Sequence, residues 1–164
     1  MSLKIGFIGA GQMATALARG FVASQENNNG PTISFFDPSP EACNHFSKSI
    51  AAATLLADAP EVVATADIVF LAVKPQVLPA VLDSIATVVT TDVLLVSIAA
   101  GVTLDIICGR TGSDRAIRVM PNTPCLLGKA ATAFSPAGGA TATDCATVHN
   151  LLDSVGITYQ LSEQ

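Results

Sequence analysis

Apolar residues in this chain cluster in short, mostly unbroken runs rather than in strict alternation. Residues 3–8, 32–36, 68–73, 93–98 and 116–120 each carry three or more apolar side chains within six positions or fewer. Runs of that kind predict strands of a parallel sheet covered on both faces. Between them the apolar spacing turns helical. Residues 12–25 place Ala16, Leu17, Gly20 and Phe21 on one face. Pro40 suits the first turn of a helix running to about residue 50. Asp58 with Glu61 three residues on reads as the N-cap of a short helix ending near Thr65. Residues 77–89 have helical spacing, and Thr103 can cap a helix to about Gly109. Residues 143–155 read as a last helix with Gly156 as its C-cap. Residues 54–56, 130–134 and 157–161 give shorter strand signals. Asn27-Asn28-Asn29-Gly30-Pro31 is a loop by composition, and Pro121-Asn122-Thr123-Pro124 stops regular structure.

Strand and helix signals therefore alternate, which implies βαβ units and an α/β fold. The expected architecture is one domain over residues 1–164, with a doubly wound, mostly parallel sheet and helices on both faces. The 164 residues suffice for one real core, and no repeat, low-complexity tract or linker divides them. Half the residues are apolar and 13% are charged, which excludes a disordered chain.

The apolar excess does not point to a membrane. No apolar run approaches the roughly 18 residues of a spanning helix. Gly9 and Gly11 interrupt any charged-then-apolar leader pattern. A net charge of −5, with eight scattered basic residues, argues against nucleic acid and anionic membranes as partners. The cysteines at 43, 108, 125 and 145 form no CxxC pair. They read as small packing residues, and a reducing, cytoplasmic setting is expected. His45 and His149 stand alone, so no metal site is expected.

Chemistry enters at the first strand end. Residues 3–8 run straight into Gly9-Ala10-Gly11-Gln12-Met13-Ala14, where the helical pattern begins. This is Gly-x-Gly-x-x-Ala at a strand-to-helix junction, the arrangement that holds a dinucleotide pyrophosphate. Gly9 allows the tight turn, Gly11 lets the backbone approach the phosphates, and Ala14 lets helix and strand pack closely. The helix N-terminus adds unpaired N–H groups and the positive end of its dipole. The expected sheet is thus of Rossmann type.

In such sheets ligands sit beyond the carboxyl ends of the strands. The other ends are Asp37-Pro38, Val73-Lys74-Pro75-Gln76, Ile98-Ala99-Ala100-Gly101 and Met120-Pro121-Asn122-Thr123-Pro124. Ala99, Ala100 and Gly101 are flat enough for a ring or sugar to approach the backbone. Lys74 is either a positive charge near phosphate or substrate carboxylate, or a solvated lysine at a strand end. Pro75 rigidifies that loop, or serves as a helix N1 proline, or both. Asp37, 28 residues after Gly9, is placed to bond the ribose hydroxyls of NAD and to repel a 2′-phosphate. Its plainer role is a turn-forming Asp before proline. Arg19 and Lys48 lie outside the expected loop, so these residues lean to NAD over NADP. Asn122 and Thr123 either meet a nicotinamide carboxamide or substrate, or simply form a proline-framed turn. No Ser/His/Asp or Cys/His set stands out, and a reductase needs none, because the cofactor carries the hydride.

At these strand ends the sequence resembles pyrroline-5-carboxylate reductase, which makes L-proline from a cyclic imine. The resemblance rests on Phe7-Ile8-Gly9-Ala10-Gly11-Gln12-Met13-Ala14, Phe70-Leu71-Ala72-Val73-Lys74-Pro75-Gln76, Val96-Ser97-Ile98-Ala99-Ala100-Gly101-Val102-Thr103 and Arg118-Val119-Met120-Pro121-Asn122-Thr123-Pro124. Leu151-Leu152-Asp153-Ser154-Val155-Gly156 also fits. It implies NAD(P)H-dependent reduction of an imino acid, with cofactor contacts at Ile8 to Met13, Ala72, Val73, Lys74, Pro75, Ile98, Ala99 and Ala100. Asp37 then lies near the adenosine ribose. The family often uses NADPH, and Asp37 departs from that habit. The resemblance also implies a homo-oligomer, dimeric or decameric, built by a C-terminal helical domain that grips the imino acid. The sequence has no match to that domain. It is therefore expected to be the N-terminal domain, weak or inactive in turnover alone, with an exposed apolar face. The competing expectations are a β-hydroxyacid or prephenate dehydrogenase domain and a non-catalytic dinucleotide-binding module.

Overall fold

The computed structural model describes residues 2–25, 29–121 and 130–163. The strands are β1 (Lys4–Ile8), β2 (Thr32–Phe36), β3 (Thr54–Leu55), β4 (Ile68–Leu71), β5 (Leu94–Ser97), β6 (Ala116–Met120), β7 (Ala130–Pro136) and β8 (Gly156–Gln160). The helices are α1 (Gln12–Ala23), α2 (Pro40–Ser49), α3 (Ala59–Thr65), α4 (Leu78–Ile85), α5 (Leu104–Thr111) and α6 (Ala142–Asp153). They build one eight-stranded sheet in the order β3-β2-β1-β4-β5-β6-β7-β8. The strands from β3 to β6 are parallel, β7 runs antiparallel to β6, and β8 runs parallel to β7. The expected doubly wound, mostly parallel sheet is borne out. Strand order reverses between β1 and β4, the switch point at which such sheets open a crevice.

Register explains the core. Phe7 on β1 lies beside Phe35 on β2 and Phe70 on β4, so three rings share one row across the sheet. Phe21 from α1 reaches the Phe70 ring at 5.2 Å, and Phe46 from α2 reaches the Phe35 ring at 4.3 Å. All five rings are fully buried, and offset or tilted contacts of this kind add to the burial itself. Val148, Leu151 and Leu152 of α6 extend the same layer. The opposite face packs Ile8, Val69 and Leu71 beneath α3, α4 and α5 through Val62, Leu82 and Ile107. Strands buried on both faces are why the sequence shows runs rather than alternation.

Local chemistry sets most boundaries. The Ser39, Asp58 and Thr103 side chains cap α2, α3 and α5 by accepting from Ala42, Glu61 and Ile106 N–H. Five expectations need correction. β4 ends at Leu71, not residue 73, because the chain turns away at Ala72, where it passes against Gly9. α4 covers Leu78–Ile85 rather than 77–89, since Val88 and Val89 N–H both fold back onto the Ile85 carbonyl. α5 continues past Gly109 and is closed by Gly112. α6 starts at Ala142 on a reciprocal capping box between Thr141 and Asp144, ahead of the expected Thr143. It ends at Asp153 with Ser154 as its C-cap, and Gly156 opens β8 instead of capping the helix. Of the expected Asn27 to Pro31 loop, Asn27 and Asn28 lie outside the described residues. So does the Asn122-Thr123-Pro124 stop.

Among the described residues no helix is long and apolar enough to cross a membrane. No group of metal-ligating side chains occurs among them either. Cys43, Cys108 and Cys145 are free thiols, and burial pushes Cys108 and Cys145 above the usual thiol range. The fourth cysteine, Cys125, lies outside the described residues. Met120, Ile157, Tyr159 and Leu161 stand more than half exposed on the β6 to β8 side of the sheet.

Candidate active site

The carboxyl ends of β1, β2, β4 and β5 meet at the switch point, and backbone hydrogen bonds lock them together. Gly9 N–H donates to the Phe36 carbonyl at 2.9 Å, and Ala72 N–H to the Ile8 carbonyl at 2.8 Å. Ile98 N–H donates to the Leu71 carbonyl at 3.2 Å. Gly9 has a φ of +99°, and a Cβ there would lie 2.6 Å from the Ala72 carbonyl oxygen. Both conformation and space therefore demand glycine.

Gly11 differs. It is the N-cap of α1, it offers no side-chain acceptor, and no acidic residue occupies the first turn. A Cβ at Gly11 would meet nothing within 4 Å. The missing side chain serves no internal contact, but it leaves the backbone and the helix N-terminus open to an anion. Ala14, one turn in, is buried.

Two hollows flank this turn. The larger, about 650 Å³, includes Gly9, Phe36, Asp37, Asp58 and Val77 in its lining. The smaller, about 320 Å³, includes Gln12, Met13, Pro75, Ile98, Ala99 and Ala100. Gly11, Ala72, Val73 and Lys74 line both, so they form a shared wall. Ile8 belongs to the larger hollow, and Pro121 closes the smaller one. The paired hollows suit a bipartite ligand whose linker crosses the α1 N-terminus.

Most of the residues singled out in the sequence thus converge on one crevice. Ala10 lines neither hollow. It is buried under the turn, and its N–H donates to Asp37 Oδ2 at 2.9 Å. Asp37 Oδ1 accepts from Ser39 N–H at 2.8 Å, the turn-forming bond, while the side chain still lines the larger hollow. Lys74 is exposed, and its carbonyl takes the Val77 and Leu78 N–H groups at 2.9 and 3.1 Å, forming the turn before α4. Pro75 lies before that helix rather than at its first position. Asn122 lies outside the described residues. Arg19 donates to Ser49 Oγ at 3.0 Å, and neither Arg19 nor Lys48 lines the crevice. Buried Ser97 shapes the Ile98 to Ala100 loop by accepting from Ala99 N–H at 3.3 Å.

In the sequence Asp58 shows only as a helix cap. Its Oδ1 does accept from Glu61 N–H at 2.8 Å, yet the side chain also lines the larger hollow. It follows β3, one more strand end of the parallel sheet, and that position was the available signal. Val77 just before α4, with Val81 and Ser84 on it, also lines this hollow, and their spacing in the sequence marks only a helix.

The sequence model of the family described as NADP oxidoreductase coenzyme F420-dependent matches residues 4–101, which hold every lining residue of the two hollows except Pro121. The chain belongs to that family. It is similar to the pyrroline-5-carboxylate reductase of Escherichia coli, with 42% identity over 99% of this chain and 60% of the relative. Its fold matches a pyrroline-5-carboxylate reductase from Coxiella burnetii at a TM-score of 0.90 and 26% identity, covering all of this chain and 60% of the other. A Plasmodium falciparum pyrroline carboxylate reductase solved with NADP bound matches at a TM-score of 0.83 and 29% identity, over 98% of this chain and 58% of the other. The resemblance drawn from the strand-end motifs is borne out. The chain spans about three-fifths of the length of these relatives.

Proposed function

We propose that this chain is the cofactor-binding domain of a pyrroline-5-carboxylate reductase-type oxidoreductase. A nicotinamide dinucleotide would lie with its pyrophosphate across Gly9 to Met13, its adenosine in the larger hollow and its nicotinamide in the smaller. The carrying observation is the shared wall of Gly11, Ala72, Val73 and Lys74 between two hollows, at a helix N-terminus left open by Gly11. The bound cofactor supplies a hydride. This chain's residues fix where that hydride points: Ile98, Ala99 and Ala100 give a flat seat, and Lys74 gives the exposed cation beside the linker.

The finer reading is a preference for NAD. Asp37 and Asp58 both line the adenosine hollow, against one cation, Lys74, among its described lining residues. A 2′-phosphate would enter beside two carboxylates and lose affinity by repulsion and desolvation. The imino-acid half of the reaction is assigned, on the family resemblance, to a helical domain beyond these residues. That domain would also build the homo-oligomer.

Fluorescence titration of the chain with NADH and NADPH tests the cofactor reading, and tighter NADH binding is expected. Equal or tighter NADPH binding refutes the preference, and no binding of either refutes the cofactor site. Imine reduction by this chain, compared with a longer version carrying the helical domain, tests the rest. Turnover is expected only in the longer version. If the longer version binds cofactor but reduces no imine, the chain is a binding module instead.

A further inference from the structure

The last described residues fold back over β6. Past β8, Leu161 N–H donates to the Phe134 carbonyl at 2.9 Å, and two residues later Glu163 turns in over β6. Its carboxylate accepts from Leu104 N–H at 3.1 and 3.3 Å and from Arg118 Nη1 at 2.8 Å. Arg118 and Glu163 side chains are only 16% and 23% exposed. Arg118 Nε is buried and has no partner among the described residues, so Glu163 carries the ion pairing of that guanidinium.

Neither partner of Glu163 lines the smaller hollow, but each is joined along the chain to residues that do. Leu104 opens α5, and the connection before it holds Ile98, Ala99 and Ala100, three of the lining residues. Arg118 sits on β6 three residues before Pro121, which lines the same hollow, and it pairs in register with Ser97. One carboxylate thus ties the β5–α5 connection to the end of β6. Glu163, Leu104 and Arg118 line neither hollow themselves, and no lining residue of the larger hollow lies on the β5–α5 connection or on β6.

We infer that Glu163 is a positioning residue for the nicotinamide half of the cofactor site. It acts through Leu104 and Arg118 to hold two walls of the smaller hollow at a fixed spacing. Without its charge, the Leu104 N–H keeps at most a weaker, neutral acceptor and a largely buried guanidinium loses its counter-ion, so both walls relax. The larger hollow keeps its shape. This rests on the cofactor reading above, and it predicts a split between the two halves of the ligand.

The test measures affinity of the 164-residue chain for NADH, which spans both hollows, and for ADP, which fills the larger one alone. In Glu163→Gln, Glu163→Ala and Arg118→Met the NADH Kd should rise about tenfold, the scale of one charge-assisted hydrogen bond. The ADP Kd should stay within about twofold. Retained ADP binding also shows that each variant is folded. Unchanged NADH affinity in the Glu163 variants overturns the inference, as does an equal loss of both ligands in the isosteric Glu163→Gln. A parent chain that binds neither ligand overturns the cofactor reading as well.

Discussion

Asp37 Oδ2 takes the Ala10 amide at 2.9 Å, so the end of β2 holds the glycine turn that follows β1. The other oxygen of the same carboxylate orders Ser39 at 2.8 Å, leading into α2. Asp37 is therefore a strut of the turn as well as a wall of the larger hollow. Replacing it should not act as a simple switch of cofactor preference. Asp37→Ser removes the repulsion proposed above for a 2′-phosphate, but it also frees Ala10 N–H. The expected outcome is NADH affinity down about tenfold with NADPH affinity gaining less than that. Parallel titrations of both cofactors check it. A gain for NADPH that mirrors the whole loss for NADH would show that the strut is dispensable.

The two glycines of the turn should separate folding from binding. Gly9→Ala meets the Ala72 carbonyl at 2.6 Å and forces an L-residue to φ +99°. It should cost about 2–3 kcal/mol of stability, seen as an earlier urea midpoint. Gly11→Ala meets nothing within 4 Å, so stability should hold within about 0.5 kcal/mol. Its methyl group would nevertheless stand where the proposed site receives the pyrophosphate, and NADH affinity should fall at least roughly tenfold. If both variants lose stability alike, the open space at Gly11 is not real.

The division between what sequence revealed and what it hid follows the range of the forces involved. Ile68 to Leu71 is apolar on every side chain, and a strand buried on both faces must be, so its place in the sheet was legible. Asp58 and Thr103 cap helices through bonds three residues long, which sequence displays directly. The end of α4 was not legible, because Val88 and Val89 continue the apolar spacing after the backbone has already turned. The antiparallel direction of β7 has no local signature at all. It is fixed by pairing with β6, Val119 beside Phe134. The candidate site splits the same way. The Gly9 to Met13 turn is a contiguous motif, whereas Glu163 acts on Leu104 across 59 positions, a distance that no pattern along the chain conveys.

A neighbouring pair of threonines offers a gain in stability. Thr132 on β7 lies beside Thr158 on β8, both are buried, and their hydroxyls have no hydrogen-bond partner among the described residues. An unpartnered buried hydroxyl has lost its water for nothing in return. Valine keeps the branched shape and suits a strand. Thr132→Val with Thr158→Val should stabilise by about 1 kcal/mol, or roughly 2–4 °C in Tm. A fall in Tm by calorimetry would mean that the hydroxyls are bonded in solution.

Acid sensitivity should trace to Arg115 and Asp144, away from the crevice. The guanidinium grips the carboxylate with two bonds, at 2.9 and 2.7 Å, and Asp144 also closes the α6 capping box with Thr141. The Arg115 hydrogen bond, with further help from Thr141, holds the Asp144 carboxyl below the usual carboxylate range. A folded-state pKa below the unfolded one, about 4, means stability present above that value and lost as pH falls through the folded value. Arg115 stays charged throughout and adds no pH dependence in that range. Asp144→Asn should therefore cost about 2–3 kcal/mol at pH 7, since it also leaves Arg115 without its counter-ion. The gap between parent and variant should shrink steadily as the pH is lowered below about 4. Urea unfolding across that range measures it, and a gap that stays constant with pH would mean that the ion pair contributes nothing to acid sensitivity.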